Sequence, residues 1–277
     1  MSKVQRLLVK ARRQVFSELI GNNPSIFHGE GYDFIELREY MPGDDIRHID
    51  WNVTAKMRTP YIKIFKEERE LSVTLAMMLN GSVHFGHRRF KQEVMAEIAA
   101  VAGYAVLRNN DQLGYMLFAD TLQAEGRPTK KPHAVSEVTQ KVYDAEVLGK
   151  KADYDAMART LYRRIRRRSL IIVVADFFEI PQLRLLARKH EVVCIIVRDR
   201  LEERPPPMGF ASLRDPETSQ LLEGDFNAKT VRKYEAKVRE HDRKLYERLR
   251  KDGIRFTKLY TDDHVGVVLR RLFEGAA

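Results

Sequence analysis

The chain has one cysteine and one tryptophan, and it lacks an apolar run near the roughly 20 residues that a membrane-spanning helix needs. Cys194 lies within the apolar run 192–197, where a lone cysteine behaves as a small hydrophobe. A disulfide framework is therefore excluded, and a reducing cytoplasm is the expected location. The first residues mix cations with apolar side chains and have no signal-peptide core, so we expect no membrane span.

Sequence patterns of familiar enzymes are also missing. The chain has no Gly-x-x-x-x-Gly-Lys-Ser/Thr phosphate loop, no His-Glu-x-x-His, no Cys-x-x-Cys and no Gly-x-Ser-x-Gly. Its eight histidines are scattered, and no neighbouring carboxylate completes a ligand set around His84 and His87. We therefore predict that the protein is not an enzyme.

The net charge of +10 is unevenly distributed. Residues 1–70 hold twelve Lys and Arg against eleven Asp and Glu, so the surplus lies downstream, and it is densest at Arg163–Arg168. Such a basic surface could attract nucleic acid, anionic lipid or an acidic protein partner. Cations are also favoured at a helix C-terminus by the macrodipole. We interpret the run as a solvated helix end and nucleic acid as an unlikely partner, with a basic nucleic-acid-binding module as the alternative.

Short apolar runs alternate with helical periodicity along most of the chain. The pattern predicts strands at 71–79, 112–118, 170–175, 191–197 and 254–259, helices at 134–143, 154–165, 181–189, 227–251 and 264–273, and a small hairpin at 215–222. Strands that alternate with helices form a mainly parallel sheet covered on both faces. The sequence therefore predicts an α/β, doubly wound fold.

A segment at 31–51, GYDFIELREYMPGDDIRHIDW, is dense in charge, rings and turn residues, and we call it the signature segment. Pro42 and Gly43 predict a turn. We expect Arg38 and Arg47 to pair with acids of the segment, partly buried under Tyr40 or Trp51. The candidate structural or partner-binding residues are Asp33, Glu36, Arg38, Tyr40, Gly43, Asp44, Arg47, Asp50 and Trp51.

These residues resemble the signature of a bacterial family, domain-of-unknown-function family 58. The resemblance is carried by Asp33-Phe34, Glu36-Leu37-Arg38, Tyr40, Pro42-Gly43-Asp44-Asp45, Arg47, Ile49-Asp50-Trp51 and Ala55, and it extends to Asp215-Pro216-Glu217-Thr218. It implies a von Willebrand factor A-like domain at 71–277, with an N-terminal helix and the signature segment, 1–70, wrapped on it. Family members are often encoded beside MoxR-type AAA+ ATPases. The implied function is a non-enzymatic adaptor for such an ATPase in assembly or maturation of an unknown client protein.

The resemblance also implies a place for a metal. In open α/β sheets, ligands gather at the carboxyl ends of the strands. Von Willebrand factor A domains carry there a metal-ion-dependent adhesion site, with Asp-x-Ser-x-Ser in the first loop and an Asp after a later strand. The counterparts here are Asn80, Ser82, His84 and Asp176, with Thr129 as a weak counterpart of a threonine ligand.

This set departs from the pattern that the resemblance implies. Asn80 removes a carboxylate, and the imidazole of His84 is a poor Mg²⁺ ligand. We expect a degenerate site that binds Mg²⁺ weakly at most, or a plain polar turn, and no firm cofactor. Asn80→Asp with His84→Ser is expected to strengthen metal binding. A metal-dependent hydrolase, the other alternative, would need a second carboxylate near Asp176.

Overall fold

The structure, a computed structural model, describes residues 2–17, 31–68 and 70–274, with the backbone alone at 16–17, 31–36, 48, 63–68 and 274. In chain order its elements are α1 (Lys3–Ser17), β1 (Gly31–Glu39), α2 (Trp51–Met57), β2 (Tyr61–Glu68), β3 (Ser72–Met78), α3 (Lys91–Arg108), β4 (Gln112–Phe118), β5 (Leu122–Thr129), α4 (His133–Tyr143), α5 (Tyr154–Arg164), β6 (Leu170–Ala175), α6 (Arg184–Lys189), β7 (Glu191–Arg198), α7 (Arg200–Glu203), β8 (Gly209–Arg214), β9 (Leu221–Phe226), α8 (Ala228–Lys251), β10 (Arg255–Tyr260) and α9 (Val265–Glu274).

A six-stranded sheet, in the order β10-β7-β6-β3-β4-β5, forms the core of residues 72–260. Every neighbouring pair is parallel except β4 and β5, which form an antiparallel edge. The central strands β3, β6 and β7 are apolar and buried almost throughout, as expected for strands covered on both faces. The predicted α/β class with a mainly parallel sheet is confirmed.

Both faces of the sheet are covered by helices. Ile171, Val173 and Ala175 of β6 join one hydrophobic cluster with residues of α5, α6 and α8, such as Met157 and Leu245. On α3 nearly every residue from Lys91 to Val106 is buried, and this helix packs against α1, α4 and α9. Within the described residues, no helix combines the length and the apolar character that crossing a bilayer requires.

The chain divides into two compact units, one of Met1–Ile26 with Ser72–Ala277 and one of Phe27–Leu71. Helix α1 belongs to the larger unit, whereas the sequence grouping of 1–70 joins it to the signature segment. Its buried residues Val4, Ala11 and Val15 explain this position, because they pack toward α3. Lys10 Nζ also lies 2.8 Å from Glu97 Oε1 of α3.

The smaller unit is built on an antiparallel ribbon of β1 and β2, whose register shifts between Phe34 and Glu36. The predicted turn follows β1: Asp44 N–H donates to the carbonyl of Met41 at 3.0 Å, and Gly43 has a φ of +108°, a value that favours glycine. Asp50 then caps α2, since its carboxylate accepts from the N–H groups of Asn52 and Val53.

Strands β8 and β9 form a separate hairpin within the larger unit. It is longer than the hairpin predicted at 215–222, because both strands lie outside the turn. The turn is organised by Asp215, whose carboxylate accepts from Glu217 N–H at 2.8 Å and from the Thr218 hydroxyl at 2.6 Å. The Asp-Pro-Glu-Thr motif is therefore the tip of this hairpin.

Candidate polar site at the carboxyl edge of the sheet

Three of the four residues predicted for the metal site lie together at the carboxyl edge of the sheet. Asn80 and Ser82 follow β3, and Asp176 follows β6. The Asn80 amide donates to the Ser82 hydroxyl at 2.7 Å, and that hydroxyl donates to the Asp176 carboxylate. Asn80 and Asp176 are buried, with exposed fractions of 3% and 1%, and Ser82 is half-buried.

The fourth predicted residue, His84, and the weak counterpart Thr129 lie elsewhere. His84 is exposed and stacks on Phe90, with 4.3 Å between ring centroids. Thr129 ends the edge strand β5, where its hydroxyl accepts from Lys131 N–H at 3.3 Å. Within the described part of the chain, neither is hydrogen-bonded to Asn80, Ser82 or Asp176.

Lys91 is the cation of this site, and sequence reasoning missed it. Its side chain is fully buried; its Nζ lies 3.0 Å from Asp176 Oδ2 and also donates to Glu202 Oε1. Glu202 comes from α7, directly after β7. Lys91 is the first residue of α3, where a cation opposes the helix dipole. A lysine in the first turn of a helix that is otherwise largely apolar was the available signal.

The pKa values of Asp176 and Glu202 are shifted in opposite directions in this site. Burial opposes ionisation of Asp176, but the Lys91 ammonium and the Ser82 hydroxyl outweigh it and lower the pKa of Asp176. For Glu202 burial is the stronger effect, so its pKa is raised despite the same ammonium. The interactions with Lys91 therefore help to outweigh burial at Asp176, but they do not outweigh it at Glu202.

Glu217 reaches the site from the tip of the β8–β9 hairpin. Its carboxylate accepts from the Asn80 amide, and burial together with the nearby Asp176 raises the pKa of Glu217. The Pro216 carbonyl accepts from Gly149 N–H at 2.8 Å and lies so close to Gly81 that a Cβ there would clash with it. The hairpin tip thus lies directly on the loop that carries Asn80.

Arg198, at the end of β7, holds the backbone that presents Asp176. The side chain is fully buried; its Nε donates to the Asp176 carbonyl at 2.5 Å and its Nη2 to the Phe177 carbonyl at 3.2 Å. Phe177 has a φ of +51°, a costly conformation for a residue with a Cβ. Tyr154 Oη accepts from Phe177 N–H at 3.1 Å, and these bonds fix the strained residue beside the site.

The polar network continues to β10 through Asp199. Its carboxylate accepts from His87 N–H at 3.2 Å and from the Thr261 hydroxyl at 2.5 Å. Burial opposes its ionisation, but Thr261, the Leu201 N–H and His87 together lower the pKa of Asp199. Side chains that follow β3, β6, β7 and β10 are therefore joined at one edge of the sheet.

The residues present do not fit a divalent metal ion. A carboxylate that a metal would use, Asp176, is already paired with the buried Lys91 ammonium, and so is Glu202. In the part of the chain that the structure describes, no group of three or more His, Cys, Asp and Glu side chains has an arrangement suited to a metal. Glu202 is the second carboxylate that a hydrolase would need, but Lys91 shares it.

The signature segment contains the expected ion pairs, but not their expected burial. Arg38 Nη2 lies 2.7 Å from Asp44 Oδ1, and Arg47 Nη2 lies 2.6 Å from Asp45 Oδ2. The Arg47 side chain is 84% exposed and Trp51 is 70% exposed, so the prediction that rings cover these pairs is wrong for Arg47 and Trp51. The reason is local: Arg47 pairs with an acid two residues away, on the outside of its own turn.

The remaining residues of the segment have backbone roles or lie outside the described side chains. Tyr40 is half-buried and its N–H donates to the Pro60 carbonyl at 2.8 Å. Gly43 supplies the turn and Asp50 the helix cap described above. The side chains of Asp33 and Glu36 lie outside the part of the structure that is described.

Comparisons with known proteins give relatives, solved structures and a family model that are similar to this chain. Uncharacterized proteins of Mycobacterium tuberculosis (strain H37Rv) and Mycobacterium bovis are each 26% identical over 228 residues, which is 79% of this chain and 72% of theirs. Among solved structures, the conserved hypothetical protein BatB from Bacteroides thetaiotaomicron aligns with 74% of this chain and 98% of its own, at 11% identity and a TM-score of 0.45. An aerotolerance-related membrane protein from Bacteroides fragilis aligns with 74% and 97%, at 12% identity and a TM-score of 0.45. The model of the family described as protein of unknown function DUF58 matches residues 36–244, so the chain belongs to that family.

Proposed function

We propose that the protein is a cytoplasmic, non-enzymatic adaptor that works with a MoxR-type AAA+ ATPase in the assembly or maturation of a client protein. The ATPase is the partner that the family resemblance implies. The mainly parallel sheet, with polar loops at the carboxyl edge, supports a von Willebrand factor A-like domain in the larger unit.

The observation that carries the proposal is the exposed apolar surface of the signature segment. Trp51, the only tryptophan of the chain, is 70% exposed, Ile46 is 65% exposed and Met41 is 63% exposed. Tryptophan, methionine and arginine are enriched in protein interfaces, where tryptophan often supplies the largest share of the binding energy. Exposed Arg47 and half-buried Arg38 lie in the same short segment. We therefore assign the docking surface for the ATPase to this segment.

A direct binding measurement tests the proposal. The purified chain is titrated with the MoxR-type ATPase encoded in the same genome, and binding is followed by the emission of Trp51. Docking removes the indole from water, so a blue shift that saturates is expected. Trp51→Ala should weaken binding, measured by calorimetry, by roughly tenfold or more.

Tyr162→Ala is the matched control, because Tyr162 is an exposed aromatic residue on α5 in the larger unit. It should bind the ATPase as the parent chain does. Absence of any binding would refute the adaptor function. Binding with unchanged Trp51 emission and an unaffected Trp51→Ala variant would keep the adaptor but move its docking surface elsewhere.

A further inference from the structure

We infer that the ammonium of Lys91 is the resident cation of the polar site, taking the place that a divalent metal has in the site implied by the family resemblance. The inference does not rest on the proposed partner. It starts from position: Lys91 Nζ contacts Asp176 after β6 and Glu202 after β7, and the side chain has no exposed surface. A bound cation that joins strand-end loops would lie among these same groups.

Charge balance supports this assignment. A buried carboxylate without a compensating charge is unstable, and Asp176 is nevertheless the group whose pKa is lowered. The Coulomb attraction of Lys91 is the main effect that offsets its burial. A divalent ion added beside this ammonium would meet like-charge repulsion at short range, in a site with little water to screen it.

The Lys91 ammonium also explains why Asn80 stands where the Asp-x-Ser-x-Ser pattern has its first aspartate. The Asn80 amide donates to both Ser82 and Glu217, which an ionised aspartate could not do. An aspartate there would also lie against the Glu217 carboxylate, while the one ammonium is already shared by Asp176 and Glu202. An amide in place of a carboxylate in the first loop therefore goes together with a lysine ammonium in place of a metal ion.

A lysine also differs from a metal in that it cannot dissociate. Lys91 begins α3, whose residues are buried almost throughout, so its ammonium is fixed by the packing of that helix. The strand-end loops should then keep their arrangement whatever the free metal concentration. Chelators and millimolar Mg²⁺ or Mn²⁺ should leave the parent chain unchanged.

Thermal unfolding with and without metal tests the inference. The melting temperature of the parent chain should be the same in EDTA, Mg²⁺ and Mn²⁺. Lys91→Met keeps the length of the side chain but removes the ammonium, and it should lower the melting temperature by roughly 10 °C. Mn²⁺ should recover part of that loss, because Asp176 and Glu202 are then free to bind it. Lys141→Met, which breaks an exposed pair with Glu137, should change neither the melting temperature nor its response to Mn²⁺.

A double variant keeps the test decisive if Lys91→Met fails to fold. Lys91→Met with Asp176→Asn removes the ammonium and one of its two carboxylate partners, so it should fold better than the single variant and gain nothing from Mn²⁺. Two results would overturn the inference. One is Mn²⁺ or Mg²⁺ binding by the parent chain that Asp176→Asn abolishes. The other is a single Lys91→Met variant as stable as the parent.

Discussion

Asn80 is the residue at which the pattern of a metal site and the structure differ most. Both hydrogens of its amide are donated, to Ser82 and to Glu217. Asn80→Asp removes both donors and buries a charge beside Glu217. We expect a loss of about 2–4 kcal/mol in the free energy of unfolding, measured by urea denaturation.

Asn80→Asp also belongs to an expectation drawn from the sequence. The sequence predicts that Asn80→Asp combined with His84→Ser strengthens metal binding. Because His84 stacks on Phe90 outside the site, the serine would add no ligand. We now expect Mg²⁺ to leave both variants unchanged, and a melting temperature that rises with Mg²⁺ would show that the structural argument is wrong.

Glu217 makes stability depend on pH in a defined direction. Its pKa is raised in the folded chain, so its protonated form is favoured by folding and stability falls as pH rises above its ordinary value of 4.5. Glu217→Gln keeps the acceptor for Asn80 and removes the charge. The variant should melt at a higher temperature than the parent at neutral pH, and the difference should vanish below pH 4.5.

A matched control for this measurement lies on the same hairpin. Glu223 of β9 is exposed, and Glu223→Gln should change the melting temperature at neutral pH much less than Glu217→Gln does. A Glu217→Gln variant that is less stable than the parent at neutral pH would mean that the carboxylate charge itself holds the hairpin tip to the Asn80 loop.

At the scale of an element, two charged residues of the signature segment have different roles: Arg47 forms an exposed ion pair, and Asp50 caps α2. Arg47 is exposed, so Arg47→Ala should leave amide exchange in α2 unchanged. Asp50 caps α2 through the Asn52 and Val53 N–H groups. Asp50→Ala should cost about 1 kcal/mol, which makes the α2 amides exchange about fivefold faster in hydrogen-exchange measurements. Equal effects of the two substitutions would contradict this division of roles.

Some elements could be predicted from local pattern and others could not. Strands β3, β6 and β7 are short apolar runs, which only a buried strand explains well, and their order with the helices defines the sheet. The ribbon of β1 and β2 was missed. Its sequences, GYDFIELRE and YIKIFKEE, mix charged and apolar residues and have no long uninterrupted apolar run. Pairing between two such segments depends on the turn and helix that lie between them.

The candidate site could likewise be predicted from the sequence only in part. Asn80, Ser82 and Asp176 could be brought together from sequence, because the ends of parallel strands meet at one edge. Lys91, Glu202 and Glu217 instead come from a helix start, a short helix and a hairpin tip. Where those side chains point is decided by tertiary packing, which no periodicity in the sequence encodes.

At the scale of the whole molecule, the net charge of +10 raises the question of nucleic acid. In the arginine run, Arg164 is bound to Glu125 by two hydrogen bonds of 2.7 and 2.9 Å, and Arg166–Arg168 are exposed in the loop before β6. Because Arg164 and Arg167 are both exposed, replacing them by Gln should leave the melting temperature nearly unchanged. It should also leave binding to the ATPase unchanged, as measured by calorimetry.

The alternative, a nucleic-acid-binding module, makes a different prediction for the parent chain. Phosphate contacts release counterions, so DNA or RNA binding would weaken steeply as salt rises. We expect no binding that survives physiological salt in a fluorescence anisotropy titration. Retained binding that the Arg164 and Arg167 substitutions remove would favour the alternative.

The long sequence separation within the Lys91 cluster has a consequence for synthesis on the ribosome. Asp176 follows Lys91 by 85 residues and Glu202 follows it by 111, so the lysine emerges well before either acid. Until β6 has joined β3 and β7 has joined β6, the amine stays in water, where an acylating reagent can reach it. Labelling of Lys91 in stalled nascent chains of increasing length would therefore report when the carboxyl edge of the sheet becomes buried from water.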